Sequence, residues 1–265
     1  MRYLTTKNRA ILREMVATDF KIRYQSSVLG YAWSLLKPLL LFAVLYVLFT
    51  YIAPIGEGIE HYGVLLLMGI VLWSFFAETT MIGASSIVSH GDILRKVSIP
   101  RYLIVIASSV SALINLGLSM IVVFVFALAN GITPELSWLL LPLVILELFI
   151  FSIGVAFILA TAYVRFRDVT YIWEVVLQAG FYARAIIFPM SIVPAELHKW
   201  FFLSPIVQIV QDARSLLIPS SDIITIWNTV DNRVAWLIPF AIIAAVAVAG
   251  FFYFRRQSKY FAEDI

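Results

Sequence analysis

Cysteine is absent from all 265 residues, which excludes disulfides, thiolate metal sites and thiol catalysis. Histidine is nearly absent too: His61, His90 and His198 fall in three different predicted loops, so no metal site is expected. There is no G-x-x-x-x-G-K-[ST] phosphate loop, no dinucleotide fingerprint, no metalloprotease helix motif and no convergent His, Asp and Ser set. The chain reads as a non-enzyme without a cofactor of its own, and any ATP it uses must be held by another chain. Charged residues make up only 13% of the sequence against 62% hydrophobic ones, with a mean hydropathy of +0.95. A water-soluble domain of this length needs far more polar surface, so lipid is the solvent for most of the chain. No cleavable signal peptide is expected, because the first thirty residues mix charges of both signs without an isolated apolar core.

What is abundant is long apolar runs. Crossing about 30 Å of hydrocarbon takes roughly 20 helical residues. Six segments qualify, at about residues 33–53, 63–83, 102–129, 138–164, 170–190 and 234–254, the fifth being interrupted by Arg184. The basic residues orient them: 15 of the 19 lysines and arginines fall in the N-terminal segment, at its edge with the first span, after spans two and four, and in the tail. The other side keeps only Arg184, Lys199, Arg214 and Arg233, so both termini are predicted to be cytoplasmic. The expected fold is therefore an all-α, six-span integral membrane protein forming a single transmembrane domain.

Two segments do not fit a plain bundle. In "NRAILREMVATDFKIRYQ", Ile11, Leu12, Met15, Val16 and Phe20 share one helical face, while Arg9, Arg13, Glu14 and Lys21 lie largely elsewhere. This predicts an amphipathic helix, within residues 1–30, in the cytoplasmic interface. The connection at about residues 185–233 is too apolar for a solvated loop. Short helices that enter the outer leaflet and turn back would bury it, since irregular backbone at that depth needs protein or a cavity around it.

Ionisable groups in the spans each cost about 2.5 to 3.5 kcal/mol at the centre of a helix. Lys37, one turn into span one, is close enough to the interface to snorkel; Glu174 near the start of span five is explained by a solvated interface. Glu78 and Glu147 should face protein or water and serve either as hydrogen-bonding partners or as part of a pathway. Aromatic residues reach 15%. Most of them belong to interfacial belts or packing, but some, with Trp33, Trp173, Phe181 and Tyr182 as candidates, could present flat faces to sugar rings. Between spans two and three, Asp92, Ile93, Leu94, Arg95 and Lys96 can form a short charged helix that Pro100 ends before Arg101. Such an element could dock a soluble motor.

Taken in order, several stretches resemble the permease subunits of ABC-2 type exporters, in the branch that moves O-antigen, capsule, galactan and teichoic acids. "RYQSSVLGYAWSLLKPLL" resembles the junction of interface helix and first span, through Gly30, Trp33 and Pro38; "ILRKVSIPRYLI" is similar to the cytoplasmic coupling segment, through Pro100 and Arg101; "RFRDVTYIWEVVLQAGFY" resembles the start of span five, through Arg167, Asp168, Tyr171 and Trp173. The resemblance covers nearly the whole chain. It implies two copies of the chain around a central pathway in the cytoplasmic (inner) membrane, two separate ATPase subunits that hold ATP and Mg, and paired re-entrant helices after span five. A lipid-linked polysaccharide would be the substrate, guided at its pyrophosphate by Lys7, Arg9, Arg13, Lys21 and Arg23. Arg184 and Ala185 stand where many relatives carry a small residue and a proline, and Ser204 replaces an asparagine before Pro205. The resemblance thus assigns Arg184 no substrate role; packing or snorkelling toward the outer interface is the simpler reading, although it stays a candidate pathway residue with Trp33, Glu78, Glu147, Trp173, Phe181 and Tyr182. Two other readings stay open: a permease for teichoic acid, lipid or a small hydrophobic compound, and an ion-coupled transporter built on Glu78 and Glu147.

Overall fold

The computed structural model describes residues 6–24, 32–53, 55–91, 94, 99–218, 223–230 and 233–261, with the side chains of residues 6, 7 and 20–24 outside that description. Every regular element among them is helical. Five helices are long and apolar enough to cross a bilayer, which makes this a multi-pass membrane protein. They are α2 (Ala32–Val47), extended by a π-turn to Ile52, α3 (Tyr62–Ser89), α4 (Tyr102–Ala129), α5 (Leu141–Arg165), preceded by the 3-10 turn Leu136–Leu140, and one near the C-terminus described below.

The segment expected as the fifth span behaves differently. Its helix, α6 (Val169–Ala183), has 15 residues and so reaches about 22 Å, short of the hydrocarbon thickness. Arg184 turns extended there, with φ −108° and ψ 155°. Residues 185–187 form a buried turn, followed by the short helices α7 (Ala195–Phe201) and α8 (Pro205–Leu217) and the single turn α9 (Ile226–Thr229). The last long helix, α10 (Leu237–Gln257), returns across the bundle.

Burial sorts these helices into a centre and a periphery. α3 is the most buried long helix, packed by α4, α5, α6 and α8, and its apolar residues are spread around the whole circumference, as a central helix requires. α2 and its π-extension bury Pro38, Leu45 and Phe49 and leave Leu40, Leu41, Val44, Val47 and Tyr51 exposed. α5 and α10 approach closely through small residues: a Cβ at Gly154 would stand 2.7 Å from the Ala247 Cα, and one at Gly250 would meet the Gly154 carbonyl. Backbones pack this tightly only where side chains are small.

At one end of the bundle a second apolar cluster joins Met15 of α1 (Thr6–Tyr24), Leu94, Ile87, Val105, Val164, Phe254 and Phe261. On α1, Ile11, Leu12, Met15 and Val16 are half-buried while Arg9, Arg13 and Glu14 are exposed, the division that the periodicity predicts. A polar contact adds to this seam. The His90 Nε2 lies 3.3 Å from Asp19 Oδ1 of α1, and its Nδ1 lies 2.8 Å from the Ser86 carbonyl. Both partners are acceptors, so the ring satisfies them fully only as the imidazolium. Its pKa is accordingly raised, first by the hydrogen bond to Asp19 and against the opposing effect of burial.

Candidate functional site

A groove of about 850 Å³ opens between α2, α3, α4 and α6. Its wall carries Trp33, Lys37, Trp73, Glu78, Asn115 and Glu174, together with Ser34, Ser74 and Ser119. Four ionisable or amide side chains inside an apolar bundle are costly unless water or a polar ligand reaches them. Aromatic faces beside hydroxyls and amides make a surface that a sugar chain can wet on its edges and stack on its faces.

Each wall residue follows from local structure. Lys37 and Pro38 sit on α2 one turn after Trp33, which turns this otherwise apolar helix edge toward the groove. Asn115 is buried on α4 and donates from Nδ2 to Glu78 Oε1 at 2.9 Å, so the amide holds the carboxylate in one orientation across the α3–α4 seam. Ser111, Asn115 and Ser119 recur every four residues and therefore share one face of α4. Two of the three, Asn115 and Ser119, line the groove, so the polar stripe is a sequence signal for it that hydropathy averaging hides. Lys37, read from sequence as a snorkelling residue, and Trp73, Asn115 and Glu174, which the sequence reading left outside the pathway set, all line the groove.

The residues singled out from sequence divide into three groups. Trp33 and Glu78 line the groove. Trp173 lies behind it, donating from Nε1 to Thr80 Oγ1 at 2.9 Å and meeting Phe76 edge-on; Phe181 is buried against Trp73 with ring centroids 6.2 Å apart, while Tyr182 beside it is exposed. Glu147 is elsewhere: it faces α8, where Gln208 donates to Asp212 Oδ2 at 2.5 Å and Trp227 Nε1 donates to Asp212 Oδ1 at 2.9 Å. Glu78 and Glu147 therefore belong to different surroundings instead of one ion site. Of the coupling residues, Asp92, Ile93, Arg95 and Lys96 lie outside the described residues. Leu94 packs in the end cluster, Pro100 is partly buried, and the Arg101 guanidinium lies 5.9 Å from the Phe261 ring centre. Arg9 and Arg13 are exposed on α1, whereas the side chains of Lys7, Lys21 and Arg23 are outside the description.

Two arginines lie near the α6 end, outside the wall of the groove. Arg214 of α8 is fully buried and donates Nε to the Leu65 carbonyl at 3.0 Å, Nη1 to Ala185 at 2.8 Å, and Nη2 to Ile186 at 2.6 Å, with Gln211 Oε1 as a further acceptor at 2.8 Å. Tyr62 completes the clamp through its hydroxyl to the Ile187 carbonyl at 2.8 Å. The 185–187 turn thus has its carbonyls satisfied by side chains, which is what irregular backbone away from water requires. The Arg184 Cζ lies 5.5 Å from the Trp73 ring centre. Trp73 is eleven residues into α3, about 16 Å from its start, so the guanidinium sits well inside the bundle and does not reach for the helix end.

Comparison with known proteins agrees with this architecture. The family model for the ABC-2 type transporter matches residues 12–218. The chain is 29% identical over 266 residues to an O-antigen export system permease protein RfbA of Myxococcus xanthus, an alignment that covers 97% of this chain and 96% of the relative. An O-antigen export system permease protein RfbA of Klebsiella pneumoniae is 29% identical over 199 residues, covering 75% and 76% respectively.

Proposed function

We propose, since the chain belongs to the ABC-2 type transporter family, that it is the membrane permease of an ATP-driven exporter of a lipid-linked polysaccharide. The observation that carries this reading is the groove: a mixed aromatic and polar wall, open on one side, inside an apolar bundle. A second copy of the chain closes the open side, and the glycan passes between the two. Weak, repeated stacking suits a long polymer, because no single position binds it tightly enough to stop it.

Both termini are cytoplasmic in this reading, and the membrane is the inner one. α6 with the 184–187 turn acts as the fifth membrane unit, while α7 and α8 enter and leave from the outer side. ATP and Mg are bound by a separate ATPase pair. Its closure is transmitted through α1 and the 92–101 segment, and Arg9 and Arg13, with Lys7, Lys21 and Arg23, attract the pyrophosphate of the substrate at the cytoplasmic face.

Purification of the tagged chain from its native host tests the proposal. An ATPase subunit recovered in equal amount, and loss of glycan export with normal membrane insertion in the Arg95→Glu, Lys96→Glu double variant, are the expected results. Recovery of the permease alone, under conditions that preserve other membrane complexes, would overturn it.

A further inference from the structure

The guanidinium of Arg184 is the unusual cation of this molecule. A charge this far along α3 is normally neutralised by a carboxylate, caged by carbonyls or led out to the interface. Arg214 is caged. Among the described residues Arg184 has no hydrogen-bond acceptor and no ion pair; its contact is the face of Trp73. It is also partly exposed; it stands outside the groove's wall and joins it through Trp73, which is a wall residue. The seat for it is built: a Cβ at Gly180 would stand 2.6 Å from Arg184 Nη1 and 2.9 Å from Trp73 Cη2, so the guanidinium occupies its place beside the indole because residue 180 lacks a side chain.

We infer that Arg184, held on Trp73 over Gly180, forms an oxyanion subsite of the groove and takes the carboxylate or phosphate groups of the substrate. The inference rests on the groove being the glycan path and adds the chemical class: the exported polymer or its carrier bears acidic groups. A planar guanidinium with its donors unspent pairs with either group in two parallel hydrogen bonds. The ring beneath it keeps the cation oriented without using any of those donors. The groove's carboxylates do not compete for it. Glu174 is six residues before Gly180, about 9 Å along the helix axis from the level of the guanidinium, and Glu78 is already engaged by Asn115.

The test titrates the full chain in lipid nanodiscs with an oligogalacturonate, a neutral malto-oligosaccharide of equal length, and inorganic pyrophosphate. Wild type should bind the acidic sugar about tenfold more tightly than the neutral one. Arg184→Gln should bring that ratio to about one with neutral binding unchanged; Gly180→Ala should reduce it by dislodging the guanidinium, and Arg184→Lys should keep part of it. Equal affinity for the two sugars in wild type, or an acidic preference that survives Arg184→Gln, would overturn the inference while leaving the groove reading intact. Binding of pyrophosphate alone, lost in Arg184→Gln, would support an oxyanion site for a phosphate and count against the sugar path. No binding of any of the three would overturn both.

Discussion

Arg184 and Arg214 lie thirty residues apart, both beside α3, and are treated in opposite ways. Arg214 is fully buried, and its guanidinium meets three main-chain carbonyls and one amide oxygen. Arg184 is partly exposed beside a groove and meets one aromatic face. In the proposed reading the difference separates structural from functional charge: where the acceptors are all supplied by the protein the cation holds the fold, and where they are withheld it is left for the substrate. Glu147 and Glu78 repeat the contrast among the acids, one packed against α8 and the other presented to the groove.

Substitutions should widen or erase this contrast. The largest effect is expected from Arg214→Ala, which takes the guanidinium donors away from the Ala185 and Ile186 carbonyls of the buried turn. It should cost about 3 kcal/mol or more, read as an earlier thermal unfolding transition in detergent and faster proteolysis near residues 184–190. Gly69→Ala attacks the same clamp from α3, because its Cβ would stand 2.6 Å from Arg214 Nη2 and 2.7 Å from the Ile186 carbonyl; a loss of about 1 to 3 kcal/mol follows. Asn115→Ala removes the Nδ2 donor that orients the Glu78 carboxylate and should cost about 1 kcal/mol, with a larger effect on export than on the unfolding midpoint. Arg184→Gln should move stability by about 1 kcal/mol or less; a loss matching that of Arg214→Ala would erase the distinction.

The smallest effect concerns the other end of the molecule. His90 has a raised pKa in the folded chain, so its contact with Asp19 stabilises the docking of α1 fully below the ordinary imidazole value of about 6.5. That contribution is lost as pH rises through the raised folded-state value. Hydrogen exchange of the α1 amides should therefore quicken as pH rises through that value, beyond the intrinsic increase, and Asp19→Asn should remove this extra dependence.

Much of the bundle was legible because lipid imposes it. The run read at 63–83 is the core of α3, the apolar face of "NRAILREM" is the half-buried face of α1, and the apolar connection after Arg184 holds α7 and α8. The fifth span was less legible. Its apolar run continues past Ala183, but the chain there turns away, and the reason lies in Arg214 and Tyr62, whose partners come from main-chain carbonyls as distant as 149 residues in sequence. Carbonyl acceptors leave no trace in side-chain patterns. Arg214 consequently read as one of four basic residues on the sparse side, and Lys37 as a snorkelling residue, since hydropathy shows how polar a residue is and not what it faces. The groove had one usable signal, the Ser111, Asn115 and Ser119 stripe.

The lack of cysteine makes the central claim directly measurable. A single thiol placed by Ser74→Cys reports the groove, and one placed by Val125→Cys reports an exposed face of α4. Labelling of both by a small thiol reagent would be followed in cells that make the glycan and in cells that do not. If the groove is the export path, glycan synthesis slows labelling of the Ser74→Cys protein and leaves the Val125→Cys protein unchanged. Equal labelling of the Ser74→Cys protein in both cell types, with export running normally, would contradict the account.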